Sequence, residues 1–160
     1  MLFALIKLTI MEKKLFLLDA MALIYRAYYA MQRSPRFTSK GINTSAILGF
    51  TNTLYEIIKN EKPTHLAVSF DTGGPTLRHA EFQDYKANRE ATPDEIITSI
   101  PYIKRILEGF NIPIISMEGY EADDILGTVA KRSASKDIVT YILTGDKDSL
   151  QLVSEMSNVV

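Results

Sequence analysis

Four short apolar runs recur along the chain, and helical patterns or loops separate them. They are KLFLLD (14–19), HLAVSFD (65–71), IPIISM (112–117) and IVTYILTGD (138–146). None shows the strict apolar–polar alternation of a strand with one wet face. Near-continuous apolar runs of this length are what strands buried on both faces require. Parallel strands need long crossovers, and the intervening segments carry helix spacing. Residues 21–33 are apolar nearly all round, as in a buried helix. Residues 44–63 repeat apolar side chains at 47, 50, 54, 57 and 58, with Pro63 as the stop. The expected fold class is α/β: a mostly parallel central sheet with helices on both faces.

The other segments follow from local chemistry. Residues 33–45 are rich in loop formers, and 72–91 carry alternating charges with little apolar period, so they read as a surface excursion. Thr92-Pro93-Asp94-Glu95 reads as a helix start: Thr92 as N-cap, Pro93 first in the helix, Glu95 closing a capping box. That helix runs to about Phe110, with a kink expected at Pro101. Helices are also expected from Ala122 to Ser133 and from Asp148, and SNVV reads as the start of a fifth strand. Residues 13–160 form one domain and 1–12 an N-terminal extension. The segment MLFALIKLTI is broken by Lys7, lacks a basic lead and a cleavage site, and is too short to span a bilayer. It fits an extra edge strand or a stretch upstream of a start at Met11. A cytoplasmic protein with no membrane partner is expected.

Acid follows every apolar run: Asp19, Asp71, then Glu121, Asp123 and Asp124 in GYEADDILG, then Asp146 and Asp148. Singly, each is an ordinary turn or N-cap residue. Together they lie at the carboxyl ends of the strands, where open α/β sheets bind ligands. Seven carboxylates at one crevice need counter-charge, protonation or bound cations. Lys147 is the only base adjacent to them in sequence. With no Cys and only two His, thiolate sites are excluded and a zinc site is disfavoured. Oxygen ligands alone suit Mg2+ or Mn2+, and more than four carboxylates suit two ions. Glu121 and Asp124 share a helix face, with Asp123 turned about 100° away. Setting the seven aside leaves 12 Asp and Glu against 18 Lys and Arg, a balance of +6 that suits a polyanionic substrate.

FLLDAMALIYRAYYA, AVSFDTGGPTLRHAEFQDYKANR, GYEADDILGTVA and LTGDKDSLQLV, in this order, resemble successive motifs of the 5′ nuclease (flap endonuclease) superfamily. The chain is most similar to the N-terminal 5′→3′ exonuclease domain of bacterial DNA polymerase I, a PIN-like fold, from about Lys13 onward. The resemblance implies Mg2+- or Mn2+-dependent, two-metal hydrolysis of DNA at 5′ ends, flaps or nicks, in a parent carrying a polymerase domain. It assigns Asp19, Asp71, Glu121 and Asp123 to the first metal and Asp124, Asp146 and Asp148 toward the second. Arg78 and Lys86 match basic positions beside the reacting phosphate, and Arg89 one that grips the strand; a solvated charged face fits them too. Tyr25 matches a base-stacking position, although a core aromatic beside Tyr28 and Tyr29 fits equally. Arg26 matches a basic position or forms an ion pair, and Tyr85 stacks on a base or packs locally. By this resemblance, two further metal-site aspartates and a helix-hairpin-helix-like element lie beyond Val160. A receiver-type phosphotransfer domain is disfavoured, because Ala20 and Met21 follow Asp19 and leave no D-x-D motif.

Overall fold

A computed structural model describes residues 12–72 and 91–160. Five strands form one parallel sheet: β1 (Lys13–Asp19), β2 (His65–Ser69), β3 (Ile114–Ile115), β4 (Ile138–Leu143) and β5 (Ser157–Val159). Their spatial order is β3-β2-β1-β4-β5. The helices are α1 (Ala20–Ala30), α2 (Ser45–Glu56), α3 (Asp94–Gly109) and α4 (Ala122–Ala134). A π turn, Ile57–Glu61, prolongs α2 until Lys62 turns left-handed (φ 48°) ahead of Pro63.

The continuous apolar character of β1 has a direct cause. Leu17 and Leu18 are adjacent, point to opposite faces, and are both fully buried. Phe16 and Leu18 join Leu23, Phe50 and Ile103 in the core under α1, α2 and α3. Leu15 and Leu17 join Ile142, Leu126 and Ala130 in a smaller core under α4. The expected class is therefore observed, with helices on both faces. β1 pairs with β2 on one side (Leu18↔Val68) and with β4 on the other (Leu18↔Leu143). The first crossovers lead to β2 and then β3, whereas the α4 crossover returns past β1 to β4. The switch point thus falls between β1 and β4, and the crevice opens at their carboxyl ends.

α1 and α2 meet where Gly49 faces Ala27. A Cβ built on Gly49 would lie 2.6 Å from the Ala27 Cβ, so the two backbones depend on its absence. Gly49→Ala is expected to lose stability despite the better helix propensity of Ala, because overpacking of about 1–3 kcal/mol exceeds a propensity gain of about 1. Urea unfolding checks this, through a lower midpoint at unchanged slope.

Several local expectations are corrected. Pairing in β3 covers only Ile114 and Ile115, because Pro113 has no N–H to give and serves only through its carbonyl, which accepts from Val68 N–H at 3.0 Å. The helix expected from Asp148 is a 3-10 turn, Lys147–Leu152, capped by Asp146. The capping box at the start of α3 does not form: Pro93 occupies the N-cap with extended ψ (139°) and makes no side-chain cap. Thr92 and Glu95 instead accept hydrogen bonds from the Tyr25 and Tyr28 hydroxyls, at 2.8 and 3.4 Å. The helix nevertheless continues through the exposed Pro101. Any edge strand within residues 1–11 lies outside the described residues.

Candidate metal centre

The carboxyl ends of the strands carry all seven carboxylates singled out from the sequence. Asp19 ends β1 and N-caps α1, its Oδ1 accepting from Ala22 N–H at 3.1 Å. This is what the sequence Asp-Ala-Met-Ala offers: a short acceptor ahead of residues with good helix propensity. Its other oxygen, Oδ2, accepts from the Thr144 hydroxyl at 2.9 Å, across the switch point. Asp71 lies two residues past β2, and its Oδ1 accepts from Ala122 N–H at 2.7 Å, so it caps α4 from another strand. Glu121 is the buried N-cap residue of α4 (6% exposed). Asp124 Oδ2 reaches back to accept from Glu121 N–H at 3.2 Å, and Asp123 Oδ1 accepts from Asp124 N–H at 2.8 Å. On the β4 side, Asp146 Oδ1 accepts from Asp148 N–H at 2.9 Å.

The electrostatics follow from this placement. Burial pushes the Asp19 carboxyl above its usual range, and the Asp71 charge pushes in the same direction. The bonds from Ala22 and Thr144 oppose the shift without cancelling it. Among the described residues, no Lys or Arg forms an ion pair with Asp19 or Asp71. Glu121 is buried, Asp19, Asp123 and Asp124 are half-buried, and Asp71, Asp146 and Asp148 are exposed. Carboxylates with oxygen neighbours and no thiolate or imidazole suit a hard divalent cation. The side chains do not close into a ready cage: among the described residues, no group of three or more ligating side chains stands within coordinating reach of one point. A cleft of about 360 Å³ adjoins the cluster, with Asp123 and Asp124 on one wall and Ser149 and Gln151 on the other.

The remaining candidates divide. Tyr25 is half-buried, packs against the larger core and stacks on Tyr29 with centroids 6.2 Å apart. Arg26 is exposed and has no carboxylate partner among the described residues. Arg78, Tyr85, Lys86 and Arg89 lie outside the described residues. Thr144 was not singled out from the sequence. Within a β-forming run it reads as one more strand residue, and the only signal was its position two before Asp146, where a hydroxyl can close a turn.

Two curated relatives show where such a chain occurs. It is 43% identical over 148 residues to DNA polymerase I of Borreliella burgdorferi, and 43% identical over 147 residues to that of Caldicellulosiruptor bescii. Each match covers 92% of this chain, which spans only 16% and 17% of those proteins. Among solved structures, the fold is similar to the bacteriophage T5 5'-exonuclease with bound zinc ions, with a TM-score of 0.67 and 16% identity over 92% of this chain and 54% of that one. A T5 flap endonuclease solved with DNA and metal ions is similar at TM-score 0.65 and 16% identity, over 92% of this chain and 54% of that one. Residues 14–160 match the N-terminal resolvase-like domain of 5'-3' exonucleases, and the chain belongs to that nuclease family.

Proposed function

We propose that this domain hydrolyses DNA phosphodiesters at 5′ ends, flaps and nicks with Mg2+ or Mn2+, within a DNA polymerase I-like replication and repair enzyme. The observation that carries the reading is the pair Asp19 and Asp71. Asp19 ends β1 and Asp71 follows the adjacent β2, the two repel one another, and among the described residues no Lys or Arg offsets the Asp19 charge. Asp19, Asp71, Glu121 and Asp123 would hold one ion, and Asp124, Asp146 and Asp148 would face the other. Two such ions supply an activated water and charge stabilisation at the leaving oxygen. The chain's own residues orient the ligands: Ala22 N–H fixes Asp19, and Ala122 N–H fixes Asp71. Arg78 and Lys86 are proposed to stabilise charge on the phosphate, and Tyr25, Arg26, Tyr85 and Arg89 to hold the strand.

The test is cleavage of a 5′-flap DNA by the pure chain with Mg2+. Asp71→Ala is expected to cut at least about 100-fold more slowly, the scale for losing one preorganised electrostatic group at a reacting centre. Equal cleavage by both would point to a contaminant and end the proposal. The absence of a closed three-ligand cage among the described residues favours a second reading, binding of metal or DNA without turnover. Saturable Mn2+ binding with no cleavage would select it.

A further inference from the structure

We propose that Thr144 is a positioning residue, whose single hydroxyl ties the carboxylate of Asp19 to the turn carrying Asp146 and Asp148. The proposal rests on the reading of this crevice as a divalent metal centre.

Thr144 stands one residue beyond β4. The last register pair between β1 and β4 is Leu18↔Leu143, which places Asp19 and Thr144 side by side at the mouth of the switch point. A threonine hydroxyl has one proton to give and two lone pairs. Here the proton goes to Asp19 Oδ2 at 2.9 Å, and one lone pair takes the Asp146 N–H at 3.1 Å. The contact to Asp146 alone is an ordinary two-residue turn closure. The contact to Asp19, 125 positions away in the chain, is not needed by that turn. It links the group assigned to one ion with the segment assigned to the other.

The consequence for Asp19 is orientational. Ala22 N–H holds Oδ1 and Thr144 holds Oδ2, so the carboxylate plane is fixed from two elements. The Met21 N–H adds a weaker bond to the same carboxylate, which still leaves lone-pair capacity for a cation. On the far side, the hydroxyl fixes the Asp146 amide while Asp146 Oδ1 holds the Asp148 amide. One chain of bonds therefore runs Asp19–Thr144–Asp146–Asp148. Partners that orient ligands in this way usually affect metal affinity strongly.

The experiment is calorimetric titration of Mn2+ into the 160-residue chain without DNA, for the unsubstituted protein, Thr144→Val and Thr144→Ser. Valine keeps the shape and strand preference but removes both bonds, and serine keeps the hydroxyl. Thr144→Val is expected to bind Mn2+ about 10–100-fold more weakly, with Thr144→Ser within about threefold of the unsubstituted chain. Equal binding by the unsubstituted chain and Thr144→Val would overturn the role of Thr144 while leaving the metal centre standing. Should Thr144→Val fail to fold, Thr144→Ser decides: a loss of affinity comparable to that expected of valine would show that the methyl, not the hydroxyl, matters. No saturable binding by the unsubstituted chain would overturn the metal-centre reading and this proposal with it.

Discussion

Asp19→Asn is expected to move catalysis and metal-free stability in opposite directions. Asparagine keeps the α1 cap, since its amide oxygen can still accept from Ala22 N–H. It removes a charge that burial and Asp71 both disfavour. A carboxyl raised in the folded state is more readily protonated there than in the unfolded chain. Its stabilising contribution is complete below the unfolded value and is lost as pH rises through the folded one. The metal-free protein should therefore lose stability from this group across the mildly acidic range, and the Asn variant should not. At neutral pH the variant's melting temperature is expected to lie above that of the unsubstituted protein. Flap cleavage is expected to fall about 1,000-fold, because the proposed ion loses a charged ligand at the switch point. Thermal melts in EDTA at pH 4 and pH 7, beside a cleavage assay, check both arms. A variant that is less stable at pH 7 would contradict the account of Asp19.

Leu126→Ala is the second large effect. Leu126 is fully buried, and with Ala130 it is the inward side of α4 against Leu15, Leu17 and Ile142. A cavity in so small a cluster is expected to cost about 2–5 kcal/mol. That is a large part of the 5–15 kcal/mol typical of a whole domain. The first turn of α4 carries Asp123 and Asp124, and its N-terminus takes the Asp71 cap, so the loosening should reach the site. Urea unfolding and Mn2+ affinity measured on the same variant are expected to fall together. Leu107→Ala, within α3 on the other face, should cost similar stability while leaving Mn2+ affinity much closer to normal.

Much of this was legible because burial and chemistry leave different marks on a sequence. β1 announced itself through Leu15 to Leu18, since a strand buried on both faces has no position to give to polar residues. Asp19 and Asp71 stood out only as members of a set, because a single carboxylate after such a run is an ordinary turn or cap residue. Pairing order was not legible. Nothing in IVTYIL says that it lies beside KLFLLD rather than beside IPIISM, because both neighbours offer the same apolar surface. The start of α3 misled for a related reason. Thr92 and Glu95 have the right spacing for a capping box, but the tyrosine hydroxyls of α1 compete for the same oxygens, and only the tertiary fold brings them near. Thr144 was missed because one of its two bonds crosses 125 positions of chain, and no local pattern encodes that.

The strand order also bears on how the protein is made. β4 is the partner of one whole edge of β1, yet it lies far downstream of β2 and β3. A chain emerging from the ribosome can pair β1 with β2, and β2 with β3, while the other side of β1 is still open. Closing it requires the segment from Ile115 to Leu143, which takes about 1–6 seconds at about 5–20 residues per second. During that interval the amides of Leu15 to Leu18 on that side form an unpaired edge, beside side chains that the finished protein buries completely. A folding helper that recognises short extended apolar segments would find its target there. The crevice meanwhile has no β4 wall, so Asp19 has no Thr144 beside it until that strand arrives.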